Sequence, residues 1–302
     1  MTFKPAFIGS DWGTSNARFM LVGADGGLIE QRTGPGIAQI DGAVAAENIC
    51  FDVIGEWISE HPSLPVLMAG MVGSNIGWRT AGYCDTPATL ADVTAGTLKF
   101  QARGSEFRIA PGLATVRKDG LPDVMRGEEM QIFGIETGDG ALVCLPGTHS
   151  KWAKVERGAV TEFHTAPTGE LLDILGRHSI LLNPKRPVMA VTCAEFLEGV
   201  SVARDAAAGL ESLLFTVRSR QITQSLNAIS ADSYLAGLAI GCEIKSALAL
   251  YGPIAEPIHL VGSPQLTTLY ANALSLFALR AVETDGNYAS LCGLAKFFTE
   301  LQ

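Results

Sequence analysis

Apolar runs separated by short polar turns occur twice along this chain in the same order. The first set begins at residues 6–8, reaches a turn at Gly13-Thr14 and continues with residues 17–22. The second set begins at residues 141–145 and reaches a turn at Gly147-Thr148. In each set a glycine-containing hairpin and a third apolar stretch follow. This pattern predicts two strand–turn–strand–turn–strand units, and therefore two related domains that face each other.

Helical spacing of apolar residues fills most of the remaining chain. Five helices are predicted at residues 43–60, 194–208, 232–250, 265–276 and 288–301. Two more are predicted to begin at Glu128 and at Thr168, and Gly138 ends the first of these. Residues 66–69 and 257–261 are predicted to be buried strands. Strands that alternate with helices after an antiparallel start indicate an α/β architecture. We expect an N-terminal domain at residues 1–140 with an insertion at about 77–112, and a C-terminal domain at 141–302 whose last helix packs back on the first.

Composition limits the classes of function. Of the 302 residues 47% are apolar and 18% are charged, which is typical of a compact globular protein, and no apolar run approaches the roughly 18 residues that span a bilayer. The net charge of −9 with no Lys/Arg run argues against nucleic acid and anionic membranes as partners. The N-terminus lacks the features of a signal peptide, and the six scattered cysteines form no CxxC pair, so we expect reduced thiols and a cytoplasmic location. The five histidines lack metal-binding spacing.

The two Gly-Thr turns are candidates for binding a nucleotide. A tight turn of this kind presents backbone N–H groups and a hydroxyl to phosphate oxygens. Two such turns across a cleft could hold the phosphate tail of one nucleotide. The candidate residues are Gly13, Thr14, Ser15, Asn16, Gly147, Thr148, Ser150 and Lys151.

Asp11 lies at the end of the first predicted strand, beside the first turn. A carboxylate in this position can hold hydrated Mg²⁺ while the turn binds phosphate. The alternative is an ordinary Asx turn between two strands, a common use of Asp-x-Gly. The recurrence of the turn at Gly147-Thr148 favours the metal role.

The second turn has no carboxylate, because Leu145 stands where Asp11 stands in the first. A phosphoryl acceptor needs a positioned base, and Glu128 and Glu129 at a helix start can offer one. Arg126 beside them could stabilise the charge of the transferred phosphoryl group. The alternative is a pair of acids that complement the helix dipole.

A glycine-rich loop at residues 70–78 follows the buried strand at 66–69. Such a loop lets a polyhydroxy ligand approach the backbone, with Trp78 as an apolar platform and Arg79 as a partner for a carboxylate. The alternative is a turn that leads into the insertion. The candidate substrate residues are Arg18, Gly73, Ser74, Asn75, Trp78 and Arg79.

Gly262 and Ser263 follow the predicted strand at 257–261. Together with the helix at 232–250, whose Gly237 and Gly241 leave one face thin, they could form an adenine and ribose pocket. A strand–helix turn with no ligand is an equal alternative.

The chain resembles the 2-dehydro-3-deoxygalactonokinases of the sugar kinase, Hsp70 and actin superfamily. The matching segments are Asp-Trp-Gly-Thr-Ser-Asn-x-Arg at 11–18, Met-x-Gly-Met-Val-Gly-Ser-Asn-x-Gly-Trp at 68–78, Met-Arg-Gly-Glu-Glu at 125–129, Leu-Pro-Gly-Thr-His-Ser-Lys-Trp at 145–152 and Thr-Gly-Glu-Leu at 168–171. The Asp-x-Gly-Thr motif is shared by the superfamily, whereas the segments at 70–74 and 146–152 are far more specific. The run at residues 83–87 departs from the pattern, which would be richer in proline.

The resemblance implies a two-domain actin-like ATPase (ribonuclease H-like) fold with the active site in the interdomain cleft. It also implies ATP- and Mg²⁺-dependent phosphorylation of the C6 hydroxyl of 2-dehydro-3-deoxy-D-galactonate in galactonate catabolism. By position, Asp11, Thr14, Gly147 and Thr148 belong to the phosphate site and the 70–78 loop to the sugar side. A homodimer is a possible assembly.

Two other classes of function share parts of this pattern. An exopolyphosphatase-like phosphohydrolase of the same fold would use a glutamate at a helix start with water as nucleophile. A non-catalytic sugar-sensing protein would need no base. The sugar-side loop argues against the first, and the acidic charge without a helix-turn-helix segment argues against a regulator.

Overall fold

A computed structural model describes residues 4–223, 225–227 and 230–302. The chain divides into two compact units. The first contains the chain up to Gly140 together with Lys154–His164 and Gly286–Gln302, and the second contains Ala141–Ala153 and Thr165–Asp285. The sequence-based boundaries placed both later segments of the first unit in the C-terminal domain.

The described residues form fourteen strands and ten α-helices. The strands are β1 (Pro5–Trp12), β2 (Asn16–Gly23), β3 (Leu28–Pro35), β4 (Val66–Gly70), β5 (Tyr83–Asp85), β6 (Leu98–Ala102), β7 (Ser105–Ile109), β8 (Gly112–Val116), β9 (Pro122–Met125), β10 (Ala141–Leu145), β11 (Ser150–Glu156), β12 (Ala159–Ala166), β13 (Ile258–Gly262) and β14 (Ala281–Asp285). The helices are α1 (Gly42–Glu60), α2 (Leu90–Ala95), α3 (Glu128–Gly134), α4 (Thr168–His178), α5 (Ala194–Asp205), α6 (Leu210–Leu213), α7 (Phe215–Ile222), α8 (Ala231–Tyr251), α9 (Pro264–Leu276) and α10 (Gly286–Glu300). The mixed α/β architecture predicted from the sequence is confirmed.

The first unit contains a six-stranded sheet with the order β3-β2-β1-β4-β7-β6. β1, β2 and β3 form an antiparallel meander, and β1 pairs in parallel with β4. Trp12 at the end of β1 lies in register with Gly70 at the end of β4. Because the carboxyl ends of parallel strands share one edge, the turn after β1 and the glycine-rich loop after β4 emerge side by side.

The predicted insertion at 77–112 is in part a continuation of the main sheet. β7 pairs in parallel with β4, and β6 pairs with β7. Phe107 on β7 is fully buried in the core of the unit. The stretch does contain a short strand-like run at residues 107–109, but its glycine and threonine content favoured an insertion, whereas the apolar residues of β6 and β7 complete the core. A separate three-stranded sheet has the order β5-β8-β9, and its last strand, β9, directly precedes α3.

The C-terminal helix α10 belongs to the first unit, where it packs on α3. Gly134 and Gly293 make the contact possible, since a Cβ on Gly134 would lie 1.9 Å from the Ala289 oxygen and one on Gly293 would lie 1.9 Å from the Met130 oxygen. The rings of Phe7 and Phe298 stack with centroids 4.8 Å apart. This packing fixes the position of α3 and brings the start of α10 beside β1.

The second unit contains β10, β13 and β14, which belong to a five-stranded sheet with the order β12-β11-β10-β13-β14. Its longest helix, α8, is long and apolar enough to cross a membrane by length and composition, and among the described residues it is alone in this. Two thirds of that stretch (67%) is buried inside the protein, as expected for a core helix.

The glycines of α8 serve helix packing. A Cβ on Gly237 would lie 2.2 Å from the Phe196 oxygen of α5, and one on Gly241 would lie 2.7 Å from Cβ of Ala203. α5 therefore packs on the face of α8 that carries Gly237 and Gly241. This face was predicted to line an adenine pocket, and that part of the prediction is wrong. Asp232, the first residue of the predicted helix at 232–250, lies inside α8, and its carboxylate pairs with Arg186 instead of capping the helix.

Candidate active site

The turn between β1 and β2 is closed by its own backbone. The Gly13 N–H donates to the Asn16 oxygen over 2.9 Å. Thr14 and Ser15 at the tip are exposed, and their N–H groups have no hydrogen-bond partner among the described residues. Gly36 packs behind the turn so closely that a Cβ there would lie 2.2 Å from the Thr14 oxygen. The turn thus presents two free N–H groups on a rigid support.

The turn between β10 and β11 is closed at the same spacing, but by a side chain. The Gly147 N–H donates to Oγ of Ser150 over 3.4 Å, again three residues onward. Thr148 and His149 at the tip are exposed, and their N–H groups likewise lack partners in the described part of the chain. Gly169 packs behind this turn, where a Cβ would lie 2.4 Å from the Gly147 oxygen.

Both supporting glycines precede a backbone N–H that binds a carbonyl of the turn. The N–H of Ile37 donates to the Gly13 oxygen over 3.1 Å, and that of Glu170 donates to the Thr148 oxygen over 3.0 Å. Gly36 was not among the candidate residues predicted from the sequence, and Gly169 was included only within a motif. A proline one or two residues before a glycine at the start of a helical turn, in Pro35-Gly36 and Pro167-Thr168-Gly169, is the feature that could have revealed both.

Asp11 is 9% exposed and lies directly before the first turn. Its Oδ2 accepts hydrogen bonds from Arg18 and from Oγ of Ser290 on α10, the latter over 2.7 Å. Arg18 was predicted to contact substrate, and here it forms an ion pair with Asp11. Oδ1 of Asp11 has no hydrogen-bond partner among the described residues.

One free carboxylate oxygen fits the way proteins hold Mg²⁺. This ion commonly takes one or two carboxylates and completes its octahedron with water and substrate phosphates. No group of three or more His, Cys, Asp or Glu side chains suited to a metal occurs among the described residues. A single free carboxylate oxygen is compatible with an ion that takes its other ligands from water and phosphates.

Ser150 and Lys151 do not extend the exposed part of the second turn. Ser150 is fully buried and Lys151 is 5% exposed. Oγ of Ser150 faces inward, 3.0 Å from the hydroxyl of Tyr270. The expectation that Ser150 donates to a ligand is wrong in this structure, because its hydroxyl supports the turn from beneath.

The two acids at the start of α3 have different surroundings. Glu128 is half-buried, and its Oε2 accepts the Arg126 N–H over 3.0 Å. Glu129 is fully buried, and its Oε2 accepts the Gly127 N–H over 2.6 Å, while its buried Oε1 has no hydrogen-bond partner within the described residues. Burial, reinforced by the charge of Glu128, raises the pKa of Glu129 to about 8. Glu129 is therefore protonated at neutral pH and poorly suited to accept a proton.

The guanidinium of Arg126 is held in place beside these acids. Its Nη2 donates to the carbonyl oxygens of Ala81 and Gly82 over 2.9 and 3.1 Å, and the group lies 4.3 Å from the ring centroid of Tyr83. Nε and Nη1 are buried and have no partner among the described residues. Arg126 thus keeps unused hydrogen-bonding capacity close to α3.

The glycines of the 70–78 loop are required by packing. Gly70 has φ +91°, and a Cβ on it would lie 2.7 Å from the Trp12 oxygen. A Cβ on Gly73 would lie 2.9 Å from Nη1 of Arg126. The loop therefore lies against the turn after β1 on one side and against Arg126 on the other.

The polar candidates of this loop differ in exposure. Ser74 is 7% exposed and donates to the Met71 oxygen, whereas Asn75 and Arg79 are exposed. Trp78 is only 3% exposed, and its ring lies edge-on to Phe107 at 4.9 Å. The assignment of Trp78 as a ligand platform is wrong, because the side chain fills the core of the first unit.

Gly262 ends β13 close to Pro146, the residue before the second turn, and Ser263 follows it. A Cβ on Gly262 would lie 3.5 Å from the Pro146 oxygen, which is an ordinary contact distance. Packing therefore does not require glycine at this position. Ser263 is the residue before α9, and its side chain makes no capping bond.

Comparison with known proteins gives concordant results. The profile of the 2-keto-3-deoxy-galactonokinase family matches residues 11–297. A protein of Rhizobium meliloti (strain 1021) named as a probable 2-dehydro-3-deoxygalactonokinase is 37% identical over 98% of this chain and 97% of its own. The 2-dehydro-3-deoxygalactonokinase of Escherichia coli (strain K12) is 32% identical over 95% of this chain and 96% of its own.

A solved structure supports the same relationship. The crystal structure of a candidate 2-dehydro-3-deoxygalactonokinase from Sinorhizobium meliloti superposes with a TM-score of 0.87 at 35% identity, over 96% of this chain and 97% of that one. A component of the (R)-2-hydroxyglutaryl-CoA dehydratase of Acidaminococcus fermentans shares the fold alone, with a TM-score of 0.53 at 12% identity over 99% of both chains. The predicted actin-like ATPase fold is confirmed.

Proposed function

This chain belongs to the 2-keto-3-deoxy-galactonokinase family, and we propose that it transfers the γ-phosphoryl group of ATP to the C6 hydroxyl of 2-dehydro-3-deoxy-D-galactonate. Kinase activity on a sugar acid follows from the family. The observation that carries the proposal is the pair of Gly-Thr turns. In each turn the glycine N–H donates to the residue three positions later, another glycine packs against the turn, and two N–H groups at the tip have no partner among the described residues.

The turns are the proposed phosphate-binding elements. N–H groups at the tip of a rigid turn bind phosphate oxygens without having to break other hydrogen bonds first. We assign the N–H groups of Thr14, Ser15, Thr148 and His149 to this role. Gly262 and Ser263 are proposed to lie on the nucleoside side, because they emerge beside the second turn.

Asp11 is the proposed magnesium residue. Its Oδ1 is the free oxygen, while Arg18 and Ser290 fix the carboxylate through Oδ2. A bound Mg²⁺ would supply charge neutralisation of the phosphates. Arg18 acts on the metal residue in this proposal, and not on the sugar.

Glu128 is the proposed proton acceptor. As the acceptor oxygen bonds to the γ-phosphorus, the bond to the β-phosphate oxygen breaks, ADP leaves, and the proton of the hydroxyl passes to the Glu128 carboxylate. Glu128 is half-buried, whereas Glu129 is sealed from solvent with a pKa raised to about 8. Arg126 is proposed to stabilise the transferred charge electrostatically, through the positive charge of a guanidinium that the carbonyl oxygens of Ala81 and Gly82 hold in place.

The sugar acid is proposed to bind along the loop after β4. Asn75 and Arg79 are exposed there, so Asn75 can bind a hydroxyl and Arg79 a carboxylate. Gly73 and Ser74 give the loop its shape. The proposal includes a cytoplasmic location, where ATP is available, and leaves a homodimer as the assembly to test.

The test is ADP release measured with and without 2-dehydro-3-deoxy-D-galactonate. A kinase releases ADP only with the acceptor, whereas a phosphohydrolase of this fold releases it equally in both reactions. A panel of six-carbon 2-keto-3-deoxy acids that differ at C4 then defines the substrate. Acceptor-independent release would refute the proposal.

A further inference from the structure

A buried carboxyl lies beneath the second Gly-Thr turn. Glu243 on α8 is 5% exposed. Its Oε1 accepts the indole N–H of Trp152 over 2.7 Å, and its Oε2 accepts the hydroxyl of Tyr270 over 2.7 Å. The hydroxyls of Ser150 and Thr168 also hydrogen-bond to it. Four donors from β11, α4 and α9 therefore meet at one side chain of α8.

Two of these donors flank the turn. Ser150 ends the turn, and its Oγ accepts the Gly147 N–H over 3.4 Å. Thr168 begins α4 and directly precedes Gly169, where a Cβ would lie 2.4 Å from the Gly147 oxygen. The hydroxyl of Tyr270 lies 3.0 Å from Oγ of Ser150. Because Ser150 has a single hydroxyl proton, it donates either to Glu243 directly or to Tyr270, and both arrangements link the turn to the carboxyl. Glu243 thus reaches both sides of the turn through one residue each.

A carboxyl is a costly way to fill a core. Buried charges are stabilised less than well-packed apolar side chains, so packing alone would favour an apolar residue. A carboxylate offers about four acceptor sites in fixed directions; here Trp152 and Tyr270 use two of them, and the hydroxyls of Thr168 and Ser150 lie within hydrogen-bonding reach of the others. The arrangement suits a side chain whose function is to orient its partners.

We propose that Glu243 is a positioning residue, which holds Ser150 and Thr168 so that the free N–H groups of Thr148 and His149 bind nucleotide phosphates. The inference rests on the assignment of this turn to nucleotide in the proposed function. Glu243 touches no ligand, and it acts only through the two residues that flank the turn.

Glu243→Gln is the first test. The side chain keeps its shape, but one oxygen becomes an NH₂ group that faces a donor, so the hydroxyls of Tyr270 and Ser150 must reorient. Misplacement of a binding group by a fraction of an ångström is costly, and we expect nucleotide affinity to fall about tenfold. The KM for ATP rises by the same factor, while the KM for the sugar acid stays within about twofold.

Tyr270→Phe is the second test, and it guards against misfolding of the first variant. It keeps the ring and deletes the hydroxyl that joins Ser150 to Glu243. Asp232→Asn is the matched control. Asp232 is also a buried carboxylate of α8, at 4% exposure, and it accepts hydrogen bonds from the Arg186 side chain and the Met189 N–H, neither of which belongs to the turn.

The measurements are calorimetric ADP binding without sugar acid, the two KM values, and the unfolding midpoint. The inference holds if Glu243→Gln and Tyr270→Phe weaken ADP binding while Asp232→Asn, with an equal or larger loss of stability, does not. Unchanged ADP affinity in both variants, or equal weakening in the control, overturns it. A wild-type protein that binds ADP but phosphorylates no sugar acid would refute the proposed function alone, since ADP binding still decides the role of Glu243.

Discussion

Replacement of Glu129 by Gln should change the pH dependence of stability in a predictable direction. Glu129 is fully buried at the start of α3, and burial raises its pKa to about 8. In the unfolded chain it titrates near the ordinary value of 4.5. Between these two values the folded state holds a proton that the unfolded state releases, so stability falls as pH rises from about 4.5 to about 8.

The size of the effect follows from one proton. Each pH unit in this window costs the folded state about 1.4 kcal/mol, which gives about 4 kcal/mol between pH 5 and pH 8. Glutamine has the same shape, and its carbonyl can accept the Gly127 N–H that Oε2 of Glu129 accepts now. The variant should therefore gain stability relative to the wild type by up to about 1.4 kcal/mol for each unit of rising pH.

The charged groups around Glu129 are not altered by this substitution. The charge of Glu128 raises the pKa of Glu129 and the charge of Arg126 lowers it. The Glu129 carboxylate in turn contributes to the raised pKa of Cys84. Other titrating groups contribute equally to both proteins, so the difference between the two curves isolates Glu129.

The assay is urea unfolding at pH 5, 6, 7 and 8, followed by tryptophan fluorescence. Three of the four tryptophans (Trp12, Trp57 and Trp78) lie in the first unit, so the signal reports mainly on the unit that contains Glu129. Glu60→Gln, at the exposed end of α1, is the control and should run parallel to the wild type. Parallel curves for Glu129→Gln as well would refute the buried, protonated state.

The remaining predictions concern catalysis and the turns. Glu128→Gln should lower kcat by roughly 10²–10⁴-fold with little change in ATP binding, and Glu129→Gln should lose clearly less; the reverse order in steady-state assays would move the base to Glu129. Asp11→Asn should lower kcat by about 10²-fold or more without loss of fold, and wild-type turnover at saturating Mg²⁺ would exclude the metal role. Gly169→Ala should raise the KM for ATP, since its Cβ would lie 2.4 Å from the Gly147 oxygen. The control Gly55→Ala, in open space on α1, should leave the KM unchanged. Equal KM values in the two variants would show that the turn tolerates displacement.

Much of the fold could be predicted because its cues are local. The buried strand at 66–69 and the helices at 43–60, 232–250 and 265–276 are confirmed within a few residues by β4, α1, α8 and α9. Each has apolar residues at one clear period or in one unbroken run. The Gly-Thr turns were also recognisable, because the same short pattern follows an apolar strand twice.

The errors arose where tertiary contacts decide a residue's role. A tryptophan after a glycine-rich loop could face a ligand or the core, and only the neighbouring rings of Phe100 and Phe107 place Trp78 in the core. The glycines of α8 could admit a ligand or a helix, and α5 occupies the space. Glu243 gave no local sign at all, since its four donors come from distant parts of the sequence.

The most direct test of the central claim is the identity of the product. The wild-type enzyme should be incubated with ATP, Mg²⁺ and 2-dehydro-3-deoxy-D-galactonate, and the product analysed by ³¹P and ¹³C NMR. The account predicts one phosphomonoester, with phosphorus coupled to C6, formed in step with ADP. Inorganic phosphate as the phosphorus-containing product beside ADP, or a phosphate on another carbon, would contradict it.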